Sequence, residues 1–177
     1  MGRALRAAVA GGLLFGGLML GSATASGQTP SSGPIQIWVT PSSSGNGGKV
    51  LITGSIGDFG TSVTTNASGK VSSSGSYKKL LLHKGNLLIN VAQFNSAGDS
   101  TQPSIDSTNC SASFSFTAPV QIVSGTGDYS GATGSVNLTG SFAAILPKTK
   151  GGSCNESSSA HPLSQYSSIA GSGSVSF

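Results

Sequence analysis

Apolar and polar residues alternate along several short stretches of this chain, which is the period of a β-strand with one buried face. The alternation is clearest at residues 110–117, where Ala112, Phe114 and Phe116 share one face and serine or threonine side chains share the other. The same period predicts an all-β chain, with further strands at residues 35–40, 49–56, 61–66, 120–123, 136–146 and 165–177.

Residues 77–83 and 87–94 are predicted to be the two arms of a hairpin, because Lys84-Gly85-Asn86 can form the turn between them. Both arms are apolar on both faces, which indicates strands that are covered on both sides. A short amphipathic helix over residues 77–83 is the alternative. The polar segments 95–109 and 147–162 are predicted to be long loops.

Roughly eight strands in one domain favour a single eight-stranded antiparallel β-barrel, and a β-sandwich is the alternative. The last predicted strand runs to Phe177, and a terminal strand with no tail is typical of a strand that closes a barrel. Barrel closure removes exposed strand edges. An interior of this size is wide enough for one small ligand.

Residues 1–25 have the pattern of a secretory signal peptide. Arg3 and Arg6 precede a glycine-interrupted apolar segment at residues 7–20, and Ala23-Thr24-Ala25 fits a signal-peptidase site. We expect a mature, exported protein with a flexible leader at residues 26–34 and a β-barrel domain at residues 35–177. The alternative is a membrane anchor, which needs about 20 continuous apolar residues. Because the segment is shorter, no membrane span is expected after cleavage, and the protein is expected outside the cell or in the cell envelope.

Charged residues are sparse, at 8% of the chain. The formal net charge of +4 falls by two when Arg3 and Arg6 leave with the signal peptide. Lys78 and Lys79 are the only adjacent cations, whereas nucleic-acid binding needs a basic stripe. We therefore expect no nucleic-acid partner.

The chain has two cysteines, Cys110 and Cys154. In an exported protein the default is a disulfide, which would tie a long loop to the start of a barrel strand. Free thiols or a metal pair are the alternatives. Only His83 and His161 could add imidazole ligands, and their spacing matches no metal site, so no metal and no cofactor are expected.

Sequence motifs for catalysis are absent: there is no G-x-S-x-G elbow and no Walker A loop. Asp58 and His83 are the candidate catalytic residues. Asp58 lies in a predicted turn and continues the apolar face of the strand before it, so it could point into a cavity mouth, and His83 ends a predicted strand. Both have simpler interpretations, Asp58 as a turn residue bonded to backbone N–H groups and His83 as a structural or exposed side chain. If Asp58 is catalytic, its pKa is expected to be raised by burial.

Residues 125–134 read Gly-Thr-Gly-Asp-Tyr-Ser-Gly-Ala-Thr-Gly and lie between two predicted strands. This segment resembles the G-T-G-x-[YF]-x-G-A-x-G signature of allene oxide cyclase-like barrels, a fold that dirigent proteins share. The glycines would allow a tight connection between strands. The side chains of Tyr129 and Ala132 would pack this connection against the end of the barrel. The residues that carry the likeness are Gly125, Gly127, Tyr129, Gly131, Ala132 and Gly134.

The resemblance implies an eight-stranded antiparallel barrel with an apolar cavity, often assembled as a trimer. Cyclase members isomerise an unsaturated fatty-acid epoxide with a buried Glu, but the only Glu here is Glu156, in a predicted loop. Dirigent members steer radical coupling of phenols with Asp and Arg, but here both arginines belong to the predicted signal peptide. Only the scaffold transfers, because a fold does not carry a function with it.

Three functions follow from these expectations. The first is a secreted protein that binds a small apolar ligand in the barrel cavity. The second is a cyclase or isomerase acting on a lipid-like or phenol-like substrate, with Asp58 or His83 polarising it. The third is a non-catalytic structural protein of the cell envelope or surface.

Overall fold

The structure is a computed structural model, and it describes residues 30–42, 47–157 and 159–177. The predicted signal peptide and the first residues of the predicted leader lie outside these ranges. In the described part, nine strands and one helix follow in this order: β1 (Gly33–Pro41), β2 (Gly47–Gly54), β3 (Asp58–Thr65), β4 (Tyr77–Leu82), β5 (Gly85–Asn90), α1 (Ala92–Ser100), β6 (Ser104–Asp106), β7 (Ser111–Gly127), β8 (Thr133–Ile145) and β9 (Ser164–Ser176).

Eight of the described strands form a closed antiparallel barrel, so the predicted barrel is confirmed and the sandwich is wrong. Neighbouring strands follow the order β5-β4-β3-β2-β1-β9-β8-β7, and β7 pairs back with β5 to close the ring. The remaining strand, β6, lies outside the ring and pairs with the first residues of β7. Residues 77–82 form β4, which confirms the hairpin arm and excludes the helix considered for this segment.

The interior is filled by the apolar residues that alternate along each strand. Ile37 on β1, for example, is opposite Ile52 on β2, and both side chains are fully buried. The main buried residues of this core are Ile35, Ile37, Val50, Ile52, Leu80, Leu82, Leu87, Ile89, Val120, Ile122, Val136, Leu138 and Val175. Most of the barrel interior is therefore a packed core.

Pro119 does not end a strand, although a break there was predicted. Residues 111–127 form one continuous strand, β7, and Pro119 is opposite Asn137 of β8. On one side of β7, β6 pairs with its first residues and β5 pairs with its last residues. Among the described strands, β8 is therefore the single neighbour of the middle of β7, where Pro119 lies. Proline has no backbone N–H, and an open edge is where a strand tolerates it.

The predicted loop at residues 95–109 is also wrong in part, because α1 and β6 lie within it. The predicted strand at residues 87–94 ends at Asn90, whose side-chain oxygen accepts a hydrogen bond from the backbone N–H of Ala92 at 3.0 Å. Phe94 then packs on Phe116 of β7 with a ring-centroid distance of 4.7 Å. Helix α1 is therefore held by this tertiary contact.

The predicted disulfide between Cys110 and Cys154 is present, with the two sulfur atoms 2.07 Å apart. It joins the residue before β7 to the long connection between β8 and β9. In the chain-entropy account, a cross-link that closes a loop of this length stabilises the fold by about 4 kcal/mol. Within the described ranges, no helix is long and apolar enough to cross a membrane.

Candidate functional site

The two ends of the barrel are built differently. At one end, here the closed end, short turns at residues 55–57, 83–84 and 128–132 join neighbouring strands. At the other, here the open end, the described connections are longer and span residues 66–76, 91–110 and 146–163. Because antiparallel strands alternate in direction, every described connection belongs to one of these two ends.

The closed end is sealed by the glycine-rich turn between β7 and β8. Tyr129 and Ala132 are fully buried there, as the sequence predicted. Gly127 and Gly131 have φ angles of 65° and 83°, in the region that favours glycine. The turn therefore folds back tightly and places the Tyr129 ring in the buried core.

Asp58, the first residue of β3, lies at this closed end and is buried. Its carboxylate accepts a hydrogen bond from the Tyr129 hydroxyl at 2.5 Å. The backbone N–H groups of Phe59 and Lys84 donate to it at 2.7 and 3.0 Å. Donors from β3 itself and from two strand connections, residues 83–84 and 128–132, therefore meet on one carboxylate, which ties these turns of the closed end to β3.

The pKa of Asp58 contradicts the expectation for a catalytic acid. Burial by itself raises this pKa, but the hydrogen bonds from Tyr129 and from the backbone of Lys84, Phe59 and His83 lower it, and the net pKa lies below its ordinary value of 3.8. Burial also raises the pKa of Tyr129 well above its usual range, and the hydrogen bond to Asp58 adds to this shift. The pair is therefore a fixed carboxylate and a neutral phenol, which suits a structural contact.

His83, the second candidate, does not share a site with the Asp58 carboxylate. Its side chain is exposed, whereas the preceding Leu82 points into the core. The imidazole packs on the ring of Phe59, with 4.2 Å between ring centroids. The backbone of His83 lies beside the Asp58 carboxylate. Because the imidazole lies on the outer surface and the carboxylate on the inner one, the structure does not bring the two side chains together.

The open end contains a cavity of about 210 Å³. Its polar side chains are Ser62, Lys78 and Asn95, and its remaining wall is apolar or backbone. The lining residues come from seven strands, from α1 and from Val91 just before it, and they are Val39, Pro41, Gly47, Ser62, Lys78, Leu80, Ile89, Val91, Phe94, Asn95, Leu138 and Ile169. This cavity interrupts the packed core at the open end of the barrel.

Lys78 places a positive charge in this apolar cavity. It is opposite Thr64 on the neighbouring strand, and its Nζ donates a hydrogen bond to Thr64 Oγ1 at 2.7 Å. Desolvation lowers the pKa of Lys78 below its ordinary value. Within the described residues, no carboxylate contributes to the pKa of Lys78. The ammonium therefore has a hydroxyl partner, and no carboxylate of the described part of the chain offsets its charge.

Helix α1 forms the wall of the cavity mouth. Phe94 and Asn95 from its first turn line the cavity. Gly98 lies so close to Phe116 that a β-carbon there would approach the ring to 2.9 Å. The helix is therefore seated closely on β7, and its position fixes the shape of the opening.

Sequence analysis missed Lys78, although the alternation contained a signal for it. Lys78 is in phase with Leu80 and Leu82, which are core residues of β4. Its neighbour Lys79 is on the opposite face and lines a shallow surface groove instead. A lysine in phase with buried leucines indicates a charge directed towards the core, a signal that the comparison of Lys78 and Lys79 with a basic stripe does not use.

The described residues contain no group of three or more His, Cys, Asp or Glu side chains that could hold a metal ion. No model of a known protein family, no curated protein and no solved structure matches the chain significantly. The resemblance to allene oxide cyclase-like and dirigent-like barrels therefore stays a hypothesis that rests on residues 125–134.

Proposed function

We propose that this chain is an exported binding protein that holds one small, mainly apolar molecule in the cavity of its open end. The observation that carries the proposal is the cavity itself, a largely apolar space at one end of a barrel that is otherwise packed. Ligand sites in proteins are concave and mostly apolar, with a few polar groups that fix orientation. This cavity has that composition.

The size of the cavity limits the ligand. An apolar cavity of about 150 Å³ is known to take up benzene, and this one measures about 210 Å³. A ring-sized ligand that buries about 200 Å² of apolar surface gains about 5 kcal/mol from burial. Because association itself costs free energy, we expect dissociation constants of roughly 1 mM or weaker for a neutral ring.

The proposed binding protein is exported from the cytoplasm. Export is supported by the signal-peptide pattern of residues 1–25 and by the disulfide between Cys110 and Cys154. Disulfides persist in oxidising compartments outside the cytoplasm. Expression of the full chain with a secretion assay and N-terminal sequencing tests this part, and we expect the mature protein to begin at Ser26.

Toluene is the probe that tests the binding function. We expect it to shift backbone NMR resonances around the cavity, including those of Leu138 and Ile169, and to leave the closed end unchanged. Val39→Phe fills the cavity and is expected to abolish these shifts. Thr40→Phe, on the exposed face of the same strand, is the matched control and is expected to retain them. Equal toluene binding by both variants, or no binding by the wild type, would contradict the proposal.

The cyclase alternative depended on Asp58 or His83 polarising a bound substrate. Asp58 belongs to the closed end, and His83 belongs to the outer surface. Neither residue lines the cavity. Because no observation places an acid or base beside the ligand space through these residues, we do not propose this activity.

One separate observation favours a second role, association through the outer face of the barrel. Trp38, Leu51 and Phe59 lie opposite one another on β1, β2 and β3, and each is about half exposed. A contiguous apolar patch of this kind is typical of a contact surface. We propose that copies of the chain associate through it. Sedimentation velocity over a range of concentrations tests this idea, and Trp38→Ser should shift the protein towards monomer.

A further inference from the structure

We infer that the natural ligand of the open-end cavity carries a single carboxylate on a small apolar body, and that Lys78 and Ser62 bind this carboxylate. The inference rests on the proposed binding function and names the class of molecule bound. Its first support is charge complementarity, because the cavity contains a cation within an apolar wall.

The ammonium of Lys78 has bonding capacity to spare. A lysine ammonium has three N–H donors, and one of them is given to Thr64 Oγ1 at 2.7 Å. Because Lys78 itself lines the cavity, its remaining donors are available to a ligand there. Hydrogen bonds between charged partners are roughly twice as strong as neutral ones.

Ser62 supplies a second donor at the same place. It lies two residues before Thr64 on β3, so its side chain is on the same inward face. It is 7% exposed and lines the cavity together with Lys78. The register places Thr64 opposite Lys78 and Ser62 opposite Leu80, which makes Ser62 the diagonal neighbour of Lys78. A carboxylate between the two can accept from the ammonium with one oxygen and from the hydroxyl with the other.

The rest of the cavity determines the body of the ligand. Leu80, Ile89 and Leu138 form an apolar floor. About 210 Å³ accommodates a ring or a short branched chain, whereas a long acyl chain would extend out of the cavity. Lys78 contributes one positive charge, which matches a monoanion. A small aromatic or alicyclic monocarboxylate satisfies all three conditions.

Benzoate and nitrobenzene form the pair of probes that tests this inference, since they have nearly the same shape and differ in charge. We expect the wild-type protein to bind benzoate about 10 to 100 times more tightly than nitrobenzene, measured by calorimetry or NMR titration. Lys78→Met keeps the length of the side chain and removes its charge, so this preference should fall to one or below. Lys79→Met, on the opposite face of the same strand, should leave the preference unchanged.

The possible results separate this inference from the proposed function. Equal binding of both probes by the wild type, or binding of nitrobenzene alone, overturns the carboxylate inference and leaves the binding function standing. Retention of the benzoate preference by a folded Lys78→Met variant also overturns the inference. Binding of neither probe nor of toluene overturns both proposals. A twofold to tenfold weaker benzoate affinity in Ser62→Ala, with unchanged nitrobenzene affinity, supports the role of the serine.

Discussion

The two ends of the barrel each contain a charged side chain that faces inward, but the two charges have different surroundings. At the closed end, Asp58 accepts hydrogen bonds from a tyrosine hydroxyl and from backbone N–H groups. At the open end, Lys78 bonds to one hydroxyl and lines an empty space of about 210 Å³. A buried charge that its own chain satisfies stabilises the fold, whereas a charge left with spare donors is available to a ligand.

The connections between strands show the same division. Short turns seal the closed end, while helix α1 and the disulfide-linked connection before β9 surround the open end. Longer connections on a rigid scaffold are where binding residues concentrate in proteins. The glycine-rich segment that resembles a family signature belongs to the closed end, so the most recognisable part of the sequence is distant from the proposed site.

Among the substitutions that compare the two ends, truncation of the Tyr129 side chain should cause the largest loss in the free energy of unfolding. Tyr129→Ala leaves a cavity in the closed end and removes a donor from Asp58, so we expect a loss of about 3–5 kcal/mol in the free energy of unfolding. Chemical denaturation measures it. Phe94→Ala, its aromatic counterpart at the open end, should cost less than half as much, because Phe94 already borders empty space. Equal losses would mean that the two ends are equally well packed.

Removal of the Tyr129 hydroxyl alone tests the hydrogen bond at the closed end. Tyr129→Phe keeps the ring and takes one donor from a buried carboxylate, which should cost about 1.5–3 kcal/mol. Denaturation at pH 7 gives the value. Tyr166→Phe is the control, because Tyr166 is largely exposed on the surface. A Tyr129→Phe variant as stable as the wild type would show that the hydrogen bond does not hold the closed end together.

The barrel could be predicted from the sequence because alternation with period two identifies strands without knowledge of their partners. The glycines at 125–134 and the burial of Tyr129 and Ala132 were predictable for a similar local reason. The bond between Tyr129 and Asp58 was not predictable, because it joins residues 71 positions apart. Which polar group meets which depends on barrel closure and strand register, and these are non-local.

The open end was harder to predict for a different physical reason. Helix α1 has few apolar residues, and it is stabilised by the packing of Phe94 on Phe116 more than by its own helical propensity. Lys78 could have been assigned to the interior from its phase with Leu80, but nothing local shows that a cavity lies beside it. A cavity is a property of all the side chains around it, so the sequence did not reveal the proposed site.

Acid titration provides a finer test of the closed end. Because the pKa of Asp58 is lower in the fold than its ordinary value of 3.8, its contribution to stability is complete above about pH 4 and is lost as the pH falls through the folded-state pKa. Asp58→Asn should therefore show a shallower loss of stability below about pH 4 than the wild type. Some loss should remain, because hydrogen bonds from Thr108 and Asn109 also lower the pKa of Asp106. Identical acid profiles would mean that Asp58 is not held as a carboxylate.

Alkaline titration tests Tyr129, the hydrogen-bond partner of Asp58. Here stability is expected to fall as the pH rises, the opposite direction to that for Asp58. The pKa of Tyr129 is raised in the fold above its ordinary value of 10.0. Its contribution is therefore complete below about pH 10 and is lost as the pH rises above that value. Tyr129→Phe should remove this part of the alkaline loss, which thermal unfolding between pH 8 and pH 11 measures. An unchanged alkaline profile would contradict a buried neutral phenol.

The smallest expected change in stability is at the open end. There a substitution should leave the stability unchanged or raise it, whereas those at the closed end lower it. Lys78→Met removes a desolvated charge whose cost no described carboxylate offsets, and it leaves Thr64 without its donor. Removing a desolvated charge spares the fold the cost of taking that charge out of water. The ligand-free variant should therefore be as stable as the wild type or more stable, by up to about 1 kcal/mol. A charge that costs stability in the empty protein indicates selection for something other than folding. If Lys78→Met instead loses as much as Tyr129→Phe, then the ammonium stabilises the barrel itself and the distinction between the two ends is wrong.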